Sequence, residues 1–200
     1  EMVARSLLIY RITGSAAMLG IMSLASAVPM IALSLFGGVV ADRMPKKLLI
    51  QLSQISMTVT ALSTAITISV GYLAPAHPES WWVLMVLAVI QGIIMALAMP
   101  ARQSIIPELV GREQIMNAVS LNTMGMSVFR LVGPAVAGVV IDAFDFAAVF
   151  YIMTALNLLA VAFTALLPNV QSPPQRKRSV VSEMTQGLKY MRGQSTLLLI

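Results

Sequence analysis

The stretch GGVVADRMPKK, residues 37–47, ends a long apolar run and places one acidic residue among three basic ones. Asp42 follows an apolar segment of helical length, so we expect it at the C-terminus of a helix. The macrodipole is negative at that end, where basic residues are stabilised and a carboxylate is disfavoured. Arg43, Lys46 and Lys47 suit this position, whereas Asp42 raises the question of what stabilises it there.

The composition of the chain decides what kind of protein surrounds this stretch. Of its 200 residues, 58% are apolar and 10% are charged, and the mean hydropathy is +0.86. A soluble domain carries about 25% charged residues, so this chain has too few to cover a water-exposed surface. Apolar stretches of about 20 residues recur, which is the length of a membrane-spanning helix, and they lack the alternation of barrel strands. The sequence predicts an all-α, polytopic membrane protein.

The spans are uncharged or nearly so and are separated by polar turns. We predict a short first segment at 2–12, full spans at 16–41, 48–73 and 81–99, a fifth span ending near Ile141, and a sixth at 146–167. Residues 168–194 are proline-rich and basic and then follow an amphipathic pattern, which predicts a cytoplasmic linker with a helix on the membrane face. Residues 195–200 resemble the start of a seventh span. The chain lacks an initiator methionine and stops inside an apolar run, so we expect a fragment.

Basic residues predict the orientation of the spans. If the 37–47 loop is cytoplasmic, so are the 100–114 loop and residues 168–194, and these regions hold ten of the thirteen Lys and Arg residues. Cytoplasmic loops carry such an excess, so we predict a multi-pass protein of the cell inner membrane. The net charge of +5 follows from this bias and gives no indication of nucleic-acid binding. The lack of cysteine excludes disulfides and thiolate metal sites, and we predict no metal and no cofactor.

The opening stretch resembles the loop signature between helices 2 and 3 of the major facilitator superfamily. The residues that match the signature are Gly38, Asp42, Arg43, Lys46 and Lys47, while Pro45 replaces its second glycine.

Two further segments extend this resemblance along the chain. GPAVAG, with Gly133, Pro134 and Gly138, is similar to the Gly-Pro motif of helix 5 in antiporter branches. The segment PARQSIIPELVGREQIMNAVSLN, together with Arg130, resembles the bacterial branch that exports drugs and enterobactin-type siderophores.

The resemblance implies a fold, an activity and a role for Asp42. Residues 1–167 would form the N-terminal six-helix lobe of a twelve-helix fold, with helix 1 truncated. The family implies a secondary transporter, here for proton-coupled efflux of amphipathic small molecules by alternating access. In this family the loop aspartate meets the N-terminus of a helix from the other lobe and closes the cytoplasmic gate. The alternative for Asp42 is a solvated interfacial charge cluster, and Pro45 alters the local geometry because it cannot take the left-handed turn that glycine allows.

Polar residues at membrane depth are further candidates because they are costly there. Glu1 and Arg5 are four residues apart in the favourable order for an ion pair, and Glu1 is our candidate for the carboxylate that binds protons. Arg130 lies near the midplane, where it either holds helices together or acts on the substrate or coupling ion. Gln91 matches part of the family's helix 4 motif, but Ala88 occupies the arginine position of that motif. Coupling through that arginine is therefore not supported.

Glycines near the ends of the second and fifth spans have a packing interpretation. We expect close helix approach at four positions, because small residues let transmembrane helices come together: Gly37, Gly38, Gly133 and Gly138.

Two function classes follow from these observations. The favoured class is a transporter whose partners are the lipid bilayer, a small-molecule substrate, protons and a C-terminal six-helix lobe. The alternative is a membrane-embedded enzyme or sensor, which would need paired carboxylates, a Ser/His or Ser/Lys couple, or a metal cluster within its spans. None is evident in this sequence. It also lacks the nucleotide-binding pattern GxxxxGK[ST], which favours an ion gradient over ATP as the energy source.

Overall fold

A computed structural model describes residues 1–166, apart from the side chains of Leu35, Val39, Ala41, Asp42, Arg43 and Glu108. This range forms six α-helices and two short 3₁₀ turns. The helices are α1 (Met2–Thr13), α2 (Ala16–Arg43), α3 (Lys46–Ser69), α4 (Trp81–Leu109), α5 (Ile115–Ala143) and α6 (Phe146–Leu166). Five of these, α2 to α6, are long and apolar enough to cross a membrane. The predicted all-α membrane fold is confirmed, while the predicted linker at 168–194 and seventh span from 195 lie outside the described residues.

Glycine and proline set two of the helix ends. The first helix ends at Gly14, which has a left-handed φ of 63° and donates its N–H to the carbonyl of Tyr10 at 2.8 Å. Only glycine takes this conformation without steric cost. Pro45 directly precedes the first residue of α3, where the missing proline N–H costs no helical hydrogen bond.

The fourth helix is longer than the sequence predicted. It continues past residue 99 through Pro100 and Pro107 to Leu109, so most of the 100–114 loop is helical. Pro100 has no N–H to donate to the carbonyl of Ala96, four residues earlier. That carbonyl instead lies against Gly37 of α2, where an added methyl group would overlap its oxygen. The close approach predicted at Gly37 is confirmed, and it places a backbone C–H beside an acceptor that the proline leaves without its helical partner.

The helices pack around two groups of buried apolar residues. Helix α2 packs mainly against α4, and α3 packs against α6 and α4. The larger group joins α1, α4 and α6 and includes Ile9, Leu84 and Phe150. The smaller group joins α3 and α4 where Leu49 and Ile50 contact Ala101 and Ile105. Helix α5 contributes no buried residue to either group.

Side-chain hydrogen bonds connect α3 and α6 at two levels. The amide nitrogen of Gln54 donates to Thr164 Oγ1 at 3.0 Å, and the hydroxyls of Ser69 and Tyr151 are 3.2 Å apart. Polar contacts of this kind hold helices together in a bilayer, where apolar surface alone gives little preference for protein over lipid.

An ion pair joins α1 to the turn between α5 and α6. Arg11 contacts Asp145 at 3.1 Å, and its guanidinium lies 5.3 Å from the ring centroid of Phe146. Asp145 has a φ of 143°, which is unfavourable for a residue with a side chain. The two-residue turn between these helices therefore carries local strain beside an exposed ion pair.

Candidate functional site

A buried arginine joins α1 to α4. Arg5 is 2% exposed, and its Nη2 donates to Glu1 Oε1 at 2.6 Å. Its Nη1 donates to Gln91 Oε1 at 2.5 Å. The structure therefore contains the ion pair expected from sequence spacing and adds Gln91 to it. We refer to Glu1, Arg5 and Gln91 as the Arg5 cluster.

Small residues bring these two helices close enough for the contact. Ala4 and Ala88 are 0% and 2% exposed and belong to the same apolar group. Gln91 follows Ala88 by three residues and therefore lies on the same face of α4. Side chains without length beyond Cβ leave room for the long arginine side chain to reach Gln91. The arginine position of the helix 4 motif is thus occupied by alanine, and a guanidinium reaches Gln91 from α1 instead.

The position of Gln91 along α4 predicts that the Arg5 cluster lies at the depth of the bilayer interior. Gln91 follows Trp81, the first residue of α4, by ten positions, which corresponds to about 15 Å along the helix. Charged groups at such depth are costly and usually functional.

The Arg5 cluster is not optimised for stability. The Nε of Arg5 is buried and has no hydrogen-bond partner among the described residues. A buried donor left without a partner costs about 1–3 kcal/mol. Buried ion pairs can also often be replaced by apolar residues without loss of stability. The Arg5 cluster is therefore a candidate functional site.

The two lysines of the 37–47 stretch donate hydrogen bonds to helix carbonyls. Lys46 Nζ donates to the carbonyl of Ser104 in α4 at 3.3 Å, and Lys47 Nζ donates to that of Ala165 in α6 at 2.9 Å. Both acceptors lie near helix C-termini, where cations are favoured. The side chains of Asp42 and Arg43 lie outside the described residues, so the gating role of this stretch stays a prediction.

Arg130 is remote from the Arg5 cluster. It is exposed on α5 and has no hydrogen bond or ion pair within the part of the chain that the structure describes. Thr123 and Ser127, on the same helix, donate to carbonyls of α5 itself. The structure therefore divides the sequence-predicted substrate or coupling candidates into a connected group of three around buried Arg5 and an isolated arginine.

The glycines predicted to allow close helix approach behave in two ways. Added methyl groups at Gly38, Gly133 and Gly138 would meet nothing within 4 Å, in contrast to Gly37. The expectation of close approach is therefore wrong for these three within the described residues, because α5 has no neighbour on its glycine face and Gly38 points away from α4. Pro134, between the two α5 glycines, is also exposed.

Sequence reasoning missed a second close contact between α2 and α4. A methyl group at Gly92 would overlap the backbone oxygen of Ser26. The signal available in the sequence was the absence of a side chain directly after Gln91, in a span otherwise rich in large apolar residues.

Comparison with known proteins places this architecture among transporters. The profile of the transmembrane secretion effector family matches residues 1–199. YfiS, an uncharacterised MFS-type transporter of Bacillus subtilis, is 26% identical over 185 residues, which covers 90% of this chain and 42% of YfiS. The Staphyloferrin A transporter of Staphylococcus aureus is 31% identical over 147 residues, covering 74% of this chain and 36% of the relative. The chain thus spans about two-fifths of the length of these curated relatives.

Proposed function

Because this chain belongs to the transmembrane secretion effector family of the major facilitator superfamily, we propose that it works as one lobe of a secondary transporter. The activity proposed is proton-coupled efflux of amphipathic small molecules of the drug or siderophore type, by alternating access. The observation that carries the proposal is the Arg5 cluster, in which the Glu1 carboxylate contacts the buried guanidinium of Arg5. The sequence alternative of a membrane-embedded enzyme or sensor is not favoured, since members of this superfamily are transporters.

The Arg5 cluster can link protonation to a conformational change. While Glu1 is ionised, it attracts Arg5 and holds α1 in its present position against Gln91 of α4. Protonation of Glu1 removes that attraction and leaves a cation in a low-dielectric environment, where it is unfavourable. The state in which Arg5 can leave this site is then stabilised. Proton binding at Glu1 therefore shifts the equilibrium between two arrangements of α1, which is the form that coupling takes in a two-state transporter.

The proposed mechanism also requires a second helix bundle, which we call the second lobe. The relatives extend well beyond the region that matches this chain, and alternating access rocks one helix bundle against another around a site between them. The face of α5 has no buried residue and is available to such a bundle. Asp42 would close the cytoplasmic side by meeting a helix N-terminus of the second lobe, where a carboxylate is favoured.

The relatives also bear on the substrate class and on the location of the protein. One relative carries the name Staphyloferrin A transporter, which favours an amphipathic metabolite such as a siderophore over an inorganic ion. Apolar side chains such as Met124 and Phe129 are exposed on α5 and would contact apolar parts of a substrate or the second lobe. The bacterial relatives and the basic bias of the loops support a multi-pass protein in the inner membrane.

The test is transport in proteoliposomes that contain the complete two-lobed protein. A panel of amphipathic drugs and siderophores is offered with and without a pH gradient. We expect gradient-driven accumulation of at least one compound. Glu1→Gln should abolish this accumulation and retain downhill movement of the same compound, because the amide that replaces the carboxyl group does not bind and release protons.

Glu113→Gln is the matched control, since Glu113 is exposed in a turn at the start of α5. It should behave like the parent protein. Full gradient-driven accumulation by Glu1→Gln would exclude Glu1 as the coupling carboxylate. Failure of every compound to accumulate in the parent protein would contradict the proposed function itself.

A further inference from the structure

Gly92 adjoins the Arg5 cluster without belonging to it. Its backbone lies directly against α2, so that a methyl group at this position would overlap the carbonyl oxygen of Ser26 and lie 3.0 Å from its carbonyl carbon. The obstacle is backbone, so no side-chain rotation relieves it. Gly92 therefore determines how closely α2 and α4 pack at this level.

Gln91, the preceding residue, contacts a different helix. Its Oε1 accepts a hydrogen bond from Arg5 of α1. Neighbouring residues of an α-helix differ by about 100° in direction and about 1.5 Å in height. One turn of α4 is consequently held between α2, through the backbone of Gly92, and α1, through the side chain of Gln91.

The Arg5–Gln91 contact leaves little room for displacement of α4. The bond is 2.5 Å long, and a methyl group at Gly92 could be accommodated only by a shift of roughly 1 Å between α2 and α4. A shift of that size either stretches the bond past about 3.2 Å or compresses the contact with α1. Gln91 is also one of only two hydrogen-bond partners that Arg5 has among the described residues, the other being Glu1.

We propose that Gly92 is a positioning residue, whose backbone contact with Ser26 fixes Gln91 and thereby holds the Arg5 guanidinium opposite Glu1. This inference rests on the proposed function, since it gives Gly92 a part in coupling in addition to helix packing. A role in packing alone would make the effect of a methyl group at Gly92 independent of the side chain at 91. If Gly92 acts by positioning Gln91, the effects of substitutions at 91 and 92 are less than additive.

A double-mutant cycle separates these cases in the complete protein. The variants are Gly92→Ala, Gln91→Met and the combination, with Gly20→Ala of α2 as control because a methyl group there meets nothing within 4 Å. The probe is ethidium, whose gradient-driven export from proteoliposomes is followed by fluorescence at equal protein content. The free energy of unfolding in detergent is measured on the same set.

If Gly92 acts through Gln91, each single variant loses about tenfold in export rate and the double variant also loses about tenfold. The unfolding free energies should likewise be less than additive. A loss of about a hundredfold in the double variant, with additive unfolding free energies, would overturn the proposal. So would a Gly92→Ala protein that exports ethidium like Gly20→Ala.

The outcomes also distinguish this inference from the proposed function. If Gln91→Met exports ethidium normally, the Arg5 cluster has no part in coupling and the proposed function loses its support. If Gln91→Met is impaired and Gly92→Ala is not, only the positioning role fails. If the parent protein does not move ethidium, the unfolding cycle alone decides, and additive values there reject the positioning role.

Discussion

Helices α1 and α5 each carry an arginine that the sequence predicts at membrane depth, and the two arginines have opposite surroundings. Arg5 is 2% exposed and bonded to Glu1 and Gln91. Arg130 is exposed on a helix that has no buried residue. The glycines show the same contrast, since Gly37 and Gly92 touch neighbouring backbone while Gly133 and Gly138 meet nothing within 4 Å.

The contrast shows which arginine is satisfied within the described lobe. A charge in hydrocarbon needs a counter-charge, a polar cavity or water. Arg5 has a counter-charge in Glu1 of its own helix and donates a hydrogen bond to the neutral amide of Gln91 in α4. The described part of the chain offers nothing of the kind to α5. Arg5 is therefore satisfied within the described lobe, whereas we expect Arg130 to find its partner in the proposed second lobe or in the substrate pathway.

The largest effect is expected where the contrast is strongest, at Arg5. Arg5→Ala leaves half-buried Glu1 and Gln91 without their partner, and breaking a fully buried pair in this way costs about 3–5 kcal/mol, which is an upper limit here. We expect a lower free energy of unfolding in detergent and loss of transport. Arg5→Lys, which keeps the charge but not the two-pronged geometry, should recover stability better than transport. An unchanged unfolding free energy in Arg5→Ala would remove the distinction between the two helices.

The second prediction is a loss of transport with no change in the stability of the protein. Asp42→Asn should leave insertion and abundance near normal and remove most transport, because the proposed gate depends on charge more than on shape. Asp142→Asn is a matched control, since Asp142 also lies in the last turn of its helix and is exposed. Transport and membrane abundance are measured in parallel. Full transport by Asp42→Asn at equal abundance would exclude the gating role.

The third effect tests the isolated arginine. Arg130→Ala should reduce transport more than Ser127→Ala does, because Ser127 already bonds to Thr123 of its own helix. The unfolding midpoint should hardly change, in contrast to Arg5→Ala. Both quantities can be measured on the same purified variants. If Arg130→Ala changes neither, Arg130 faces water or lipid headgroups and does not lie at membrane depth.

The smallest effect compares two glycines. Gly37→Ala forces a methyl group against the Ala96 carbonyl, and overpacking of this kind costs about 1–3 kcal/mol. Gly138→Ala meets nothing in the described structure and should not lower the unfolding free energy of the lobe. Denaturant titration of the two variants measures the difference. Equal destabilisation would show that α5 is packed as closely as α2.

Local features of the sequence were sufficient for most of the fold. Apolar runs of spanning length predicted the five long helices. The extension of α4 was missed because Pro100 and Pro107 suggest a break, while the helix tolerates both. Pro100 leaves the carbonyl of Ala96 without its helical hydrogen bond, and the backbone of Gly37 packs against that carbonyl. Local sequence does not encode this contact between two helices.

The candidate site was predictable only in part. The four-residue spacing of Glu1 and Arg5 indicated their ion pair, and polarity within an apolar span singled out Gln91. Their meeting depends on how α1 is rotated against α4, which is a matter of tertiary packing; Ala4 and Ala88 are buried in the same apolar group. The same limitation explains why Gly37 could not be distinguished from Gly38, since adjacent helix residues point in different directions.

The hydrogen bond between Gln54 and Thr164 has a consequence for biosynthesis. Its two residues are 110 positions apart, so at about 5–20 residues per second the amide waits roughly 5–20 s for its partner to be synthesised. During that interval α3 is already in the membrane with an unpaired amide, because α6 has not yet been made. A photo-crosslinker at position 54 should therefore capture the insertion machinery or lipid in ribosome-stalled chains that lack α6, and should stop doing so once residue 164 has entered the bilayer.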